Sequence, residues 1–380
     1  MIVDNKVVNL NEIIEQAVQR GESRIYIDEG IYVIDRSINL GTSDVDVANR
    51  KTIDIIGAGM KKTIIYSVIN DGSFCFVHDQ SLEQAKANSF GRGLKIKDLS
   101  IIGKSESFCG GIKLLGAFFY EIKNVQISLM KKEGILIPSR SDLNNAISGV
   151  NNSDCYANAY GKISNVVIQG CTGWGYKNEL WGSSPYFENC MISDNRGGGI
   201  QIACPSAKIT KCKISNNGQL TFNDQENEVG GGILIKYNEI FKQTPHNNLI
   251  ESCEIDTNNN YQIWFNGSIL DKVERCRFID REVDRKDHKE IDVDRYHSYS
   301  IIKFGGDSGR DTQANVVENS FVRLDSNKSI PGMTLFDFST KSSYCEVRRT
   351  LYSTGGNPIA VISNANGGGN IVTNAVDIKI

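Results

Sequence analysis

The chain has 380 residues, and its 42 Lys and Arg against 45 Asp and Glu leave a formal net charge of -3. That balance excludes a strong nucleic-acid field and a polybasic membrane patch, and no apolar run is long enough to span a bilayer. Glycine is abundant, at 36 residues, and proline scarce, at 6, which suits a chain of frequent turns.

The stretch Met1 to Leu10 carries no signal-peptide core. The expected location is therefore the cytoplasm or a phage particle, or outside the cell if a leader has been removed. Leu10, Ile13, Ile14 and Val18 recur at helical spacing, with Asn9 or Asn11 placed to cap the start. Residues 1–23 read as a helical lid over the first edge of the fold that follows.

From Arg24 to Leu40 the apolar residues alternate, broken at Gly30, and a second alternating stretch runs from Thr52 to Ile65 through the Gly57-Ala58-Gly59 turn. Those glycines lack the later glycine and the following helix of a nucleotide loop, so they read as a turn. Together the two stretches resemble the opening of the pectate-lyase-like superfamily, in which a strand, an acidic-glycine turn and a Tyr-containing strand precede a Gly-x-Gly turn and a Thr-Ile-Ile strand. The resemblance implies a right-handed parallel β-helix. It leaves the chemistry open, because that superfamily holds lyases, hydrolases, epimerases and phage tailspikes.

Further along, a six-residue phrase recurs: an apolar residue, two mostly polar ones, a small or thiol residue, any residue, and an apolar one. It occurs at 187–192, 209–214, 250–255 and 273–278, with looser copies on both sides. Between copies lies a turn residue followed by alternating apolar residues, as in Gly199-Ile200-Gln201-Ile202 and Gly232-Ile233-Leu234-Ile235. Apolar residues two apart share a face of a strand and not of a helix. Two strand phrases alternating every few tens of residues mark a coiled repeat in which each turn stacks on its neighbour. The expected fold is all-β, a single right-handed parallel β-helix of about ten coils over residues 24–380 behind the short helical cap. Cys190, Cys212, Cys253 and Cys276 would form one inward column, continued by Ser320, Thr350 and Ala375.

Small buried thiols at one repeat position read as core, so the ten cysteines are expected to be free, in a reducing compartment or a virion assembled in one. No close-spaced C-x-x-C pair suggests zinc. No cofactor is called for and no metal ligands are assigned, although a divalent cation such as calcium is compatible. Polar insertions fall at about 140–160, 218–230, 236–247, 281–300 and 305–315. They flank the glycine-led strands, and loops gathered on one face of a solenoid build its binding surface.

Strand parity then selects the groove residues. With Ile200, Ile202, Ile233 and Ile235 inside, Gln201, Leu234 and Lys236 face out, followed by Gln262, Trp264 and Asn266, then Lys303 and Asp337; Glu179 and Trp181 share a parity on an earlier coil. Tyr296, His297 and Arg310 lie in the adjoining insertions. Indole faces pack on sugar rings while amides and charges bind hydroxyls and carboxylates, so the expected partner is a carbohydrate, with no nucleic acid and no membrane. Trp264 is read as a ligand platform, or as covered by a loop for that purpose. The open last coil leaves an edge that a homo-oligomer could cover.

In one chemistry, β-elimination or C5 epimerisation of a uronate, Lys236, Lys303 or Arg310 neutralises the carboxylate and Tyr296, His297, Tyr299 or His246 moves the proton. The assigned catalytic set is Lys236, Tyr296, His297, Lys303 and Asp337; the substrate-binding set is Glu179, Trp181, Gln201, Trp264, Asn266 and Arg310. Glycoside hydrolysis by two carboxylates, drawn from Glu179, Asp224, Glu226, Glu228, Asp307, Asp311 and Asp337, is the alternative. A non-catalytic carbohydrate-binding or tailspike-type structural protein is a third. The chain carries neither the Gly-His-Gly and Asn-Thr-Asp signatures of polygalacturonases nor the Asp-Pro-His motif of mannuronan epimerases.

Overall fold

Alternating isoleucines make the strands, because a period of two sends Ile53 and Ile55 to one side and leaves Asp54 and Ile56 on the other. The computed structural model describes residues 10–40, 52–79, 93–117, 119–138, 160–180, 184–218, 230–239, 242–280, 300–305, 310–324, 334–338, 341–353, 360–363 and 369–377. The sequence divides into two units, Met1–Cys190 and Met191–Ile380.

In the first unit the helix Leu10–Gln19 buries Leu10, Ile14, Ala17 and Val18, while Ile13 points to solvent. Asn11 is not a cap: its Nδ2 donates to the Arg36 carbonyl at 2.6 Å from within the first turn. Arg36 also grips Glu15 with two bonds of 2.6 and 2.9 Å. Gly21, at φ +76°, ends the helix. Its N–H donates to the Val18 carbonyl while that of Glu22 donates to Ala17, the paired reverse bonds of a left-handed glycine stop.

Behind the helix the strands stack in parallel and in register, so that Ile25, Ile55, Ile96, Ile122, Ile163 and Phe187 form one buried column. At each bend the chain passes through a left-handed residue, Asp98, Asn124, Asn165 or Asn189, residue types that tolerate that conformation best after glycine. Their side chains join as a ladder: Asn124 donates to Asp98, Asn165 to Asn124 and Asn189 to Asn165.

The second unit repeats the plan with Ile209, Ile250, Val273, Val317, Val347 and Val372 in register. The repeated phrase is a strand, one left-handed residue and a strand; Lys211, Ser252, Arg275, Asn319 and Arg349 have φ between 48° and 55°. The residue after each bend is Cys212, Cys253, Cys276, Ser320 or Thr350. It donates back to the carbonyl two residues earlier, at 3.2, 3.3, 3.4, 2.9 and 3.2 Å respectively. From Cys212 to Thr350 the column thus carries a small side chain with a donor, whereas Ala375, after the left-handed Asn374, ends it without one. All nine described cysteines are buried thiols outside any disulfide; Cys155 lies outside the described residues.

Two amide ladders stitch the remaining corners. Asn195 donates to Asn217, Asn217 to Asn258 and Asn258 to Gln262. In the other, the backbone of Ala207 donates to Asn248, Asn248 to Asp271 through its backbone and side chain, and the backbone of Asp271 to Asn315. Inside the glycine-led sheet, Phe265, Phe304 and Phe338 stack with ring centroids 5.3 and 4.8 Å apart. Among the described residues five glycine-led strands lie in the first unit and six in the second, in keeping with the expectation of about ten coils. Among the described residues no helix is long and apolar enough to cross a membrane.

Candidate functional site

The inward phenylalanines fix which residues of the second unit's glycine-led strands point outward. Because Phe265, Phe304 and Phe338 occupy one inner row, the residues just before them form an outer row. That row reads Gln201, Leu234, Trp264, Lys303 and Asp337 in continuous parallel register. Beside it Lys236 pairs with Asn266. From a strand spacing of about 4.8 Å and a rise of about 3.3 Å, the Cα atoms of Lys236 and Lys303 lie about 12 Å apart.

Much of this row is covered. Gln201 is 0 % exposed, Leu234 3 %, Trp264 8 % and Asp337 9 %. Lys236, Asn266 and Lys303 are half-buried and Arg310 is exposed. The reachable part of the face is therefore two lysines, an amide and an arginine.

Trp264 presents no open face. Its Nε1 donates to the Gly305 carbonyl at 2.5 Å, Tyr261 meets its edge, and the Lys303 ammonium sits 4.2 Å from its ring centroid. A cation held over an indole is attracted to the ring quadrupole, so Trp264 positions Lys303. Gln262, expected outward, instead accepts from Asn258 and closes the amide ladder.

Arg310 lies 5.1 Å from the centroid of Tyr237, a buried residue whose hydroxyl has no hydrogen-bond partner among the described residues. Tyr237 follows Lys236 directly and continues its strand by donating its N–H to the Asn266 carbonyl. In the sequence Lys236-Tyr237 reads as the start of an insertion and the tyrosine has no assigned role; its place straight after the outward lysine was the available signal. In the first unit Glu179 is held by Lys177 at 2.9 Å. Trp181, Tyr296 and His297 lie outside the described residues, as do Asp224, Glu226, Glu228, Tyr299 and Asp307. His246 is held by its own loop, with Nδ1 3.0 Å from the Thr244 carbonyl. Among the described residues no group of three or more His, Cys, Asp or Glu is arranged to hold a metal ion.

Residues 110–268 match the family model described as a right handed beta helix region. Solved structures agree over nearly the whole chain. The A-module of the Azotobacter vinelandii mannuronan C-5 epimerase AlgE4 is similar at 12 % identity and TM-score 0.55, covering 97 % of both chains. The fold is a right-handed parallel β-helix. ORF18 of Geobacillus virus E2 is similar to this β-helix at 13 % identity and TM-score 0.53, over 93 % of this chain and 54 % of that one, so the chain spans about half the length of the viral protein. The catalytic unit of the thermostable GH87 α-1,3-glucanase from Streptomyces thermodiastaticus strain HF3-3 gives 13 % identity and TM-score 0.54, over 97 % of this chain and 65 % of that one. No curated protein matches by sequence.

Proposed function

We propose that the outer face of the second unit binds an acidic, uronate-containing polysaccharide and acts on it by removing the proton next to the carboxylate. The observation that carries this reading is the pair of half-buried lysines, Lys236 and Lys303, on the glycine-led sheet, with Asn266 and Trp264 between them. Partly desolvated cations stabilise developing negative charge more strongly than solvated ones. Paired with a uronate carboxylate they make the neighbouring C–H more acidic, which is the requirement shared by elimination and C5 epimerisation. The likeness to a C-5 epimerase supports the reading through the fold.

In this reading Lys303 is held by the Trp264 face and receives the carboxylate, with Asn266 donating to ring hydroxyls. Arg310 and Lys236 extend the positive field along the lip. The proton-transfer group is His297 or Tyr296, a few residues before the strand Ser300–Phe304 that carries Lys303. Asp337, the register neighbour of Lys303, orients that ammonium.

The test is incubation with a panel of uronate-containing and neutral polysaccharides. Ultraviolet absorbance of an unsaturated uronate marks elimination, and solvent deuterium uptake without cleavage marks epimerisation. New reducing ends without absorbance would replace this mechanism with hydrolysis, and binding without turnover would remove the catalytic step. Full activity in Lys236→Ala and Lys303→Ala together would show that the site lies elsewhere.

A further inference from the structure

The outer row does not end at the lysines. Three strands before Lys303 in the stack, the Gln201 side chain is completely buried, and among the described residues neither its amide nitrogen nor its amide oxygen has a hydrogen-bond partner. Other buried amides of the same unit are engaged: Asn217 and Asn258 each donate to a side-chain oxygen and a backbone carbonyl. An orphaned buried amide is destabilising, and an apolar residue of similar length would serve packing better. Gln201 is also the register neighbour of Leu234, which is 3 % exposed and adds an apolar surface about 4.8 Å away.

We infer that Gln201 and Leu234 form a second subsite on this row, for the acetamido group of an N-acetylated sugar. This rests on the carbohydrate reading above and narrows it: the ligand is a heteropolysaccharide in which N-acetylhexosamine and uronate both occur. A carboxamide offers one acceptor and one donor side by side. Because a secondary amide is trans, its N–H and carbonyl point apart; the acetamido carbonyl accepts from Gln201 Nε2, the neighbouring ring hydroxyl donates to Gln201 Oε1, and the acetamido methyl packs on Leu234. The two stations are separated by the apolar step of Leu234 and Trp264. Three strand spacings, about 14 Å, separate Gln201 from Lys303, so the acetamido and carboxylate groups belong to different sugars of one chain. Gln201 is fully covered in the unliganded protein, so the acetamido group replaces that cover on binding, and association is slower than for preformed sites.

The experiment measures binding of the whole protein to hyaluronan, chondroitin and heparosan, which alternate N-acetylhexosamine with uronate, and to polygalacturonate and alginate, which are uronate only. The wild type is expected to bind at least one copolymer about tenfold more tightly than either uronate-only polymer, the worth of one or two hydrogen bonds. Gln201→Met is expected to abolish that preference while its melting temperature is unchanged or raised. Equal affinity of the wild type for both polymer classes overturns the subsite without any variant. Retention of the preference in Gln201→Met overturns it as well, whatever happens to the melting temperature. Uronate binding that survives Lys236→Ala and Lys303→Ala overturns the parent reading instead, so the two failures are told apart.

Discussion

Replacing Asp271 by asparagine should stabilise this protein, and the gain should grow with pH. Asp271 occupies a ladder position whose neighbours on adjoining coils are Asn248 and Asn315, and it is 1 % exposed. Its Oδ1 accepts from the backbone and side chain of Asn248, at 2.8 and 2.9 Å. Its Oδ2 is buried without a partner among the described residues, and the nearby Ser268 hydroxyl makes no bond of normal geometry to it. Asn315 and Asn370, at the same corner, spend their Nδ2 on the Ser268 and Ser342 carbonyls, each three residues before the ladder position of the preceding coil. Asp271 has no such donor once ionised. Burial pushes its carboxyl up from 3.8 to about 7. Burial first, and then the charge of Asp271, raises the buried thiols of Cys204 and Cys345.

The sign follows from proton counting. Between the unfolded and folded values the native state holds a proton that the unfolded chain has lost, so stability falls as pH rises from about 4 to about 7, by roughly 1.4 kcal/mol per unit, and is level above. The shift corresponds to an upper value of about 4 kcal/mol at pH 8. Asp271→Asn removes that penalty and adds a donor worth about 1 kcal/mol. The expected gain is about 2–4 kcal/mol at pH 8 and about 1 kcal/mol at pH 4. Denaturant unfolding of both proteins at pH 4, 5, 6, 7 and 8 measures it. A gain independent of pH, or a variant less stable than wild type at pH 8, would refute the reasoning.

Lys303→Ala should weaken uronate binding by about 10- to 100-fold, the usual worth of a charge-assisted hydrogen bond, read by calorimetry on whichever polymer the wild type binds. Because Lys303 rests on the Trp264 ring, that binding should change tryptophan emission, and the change should disappear in Trp264→Phe. Phe304→Ala opens the middle of the Phe265–Phe304–Phe338 stack and should cost about 3–5 kcal/mol in denaturant unfolding. Cys253→Ser keeps the back-bonding donor and should cost under about 1 kcal/mol, whereas Cys253→Val loses it and adds volume, for about 1–3 kcal/mol; equal losses would remove the donor role. The nine described thiols should stay unreactive to a thiol reagent until the protein unfolds, since all nine are buried away from the reagent.

The sequence by itself determined the coiled parallel fold, the stacked cysteine row and the outward parity of Gln201, Lys236, Trp264 and Lys303, because a strand period of two and a repeated phrase are local patterns that survive without coordinates. Only the tertiary structure decided which outward residues remain reachable. Parity does not say what lies over a strand, so Trp264 read as a platform and proved to be the seat of Lys303, and Gln262 read as a groove residue and proved to be the end of an amide ladder. Nor did the pattern distinguish Asp271 from the many solvated carboxylates around it, because its cost arises from neighbours on other coils: Asn248, 23 residues earlier, and Asn315, 44 later. The cysteine row was legible as a column, but its donor role was not, since that requires the left-handed bend one residue before it, which Lys211, Ser252 and Arg275 do not announce by residue type.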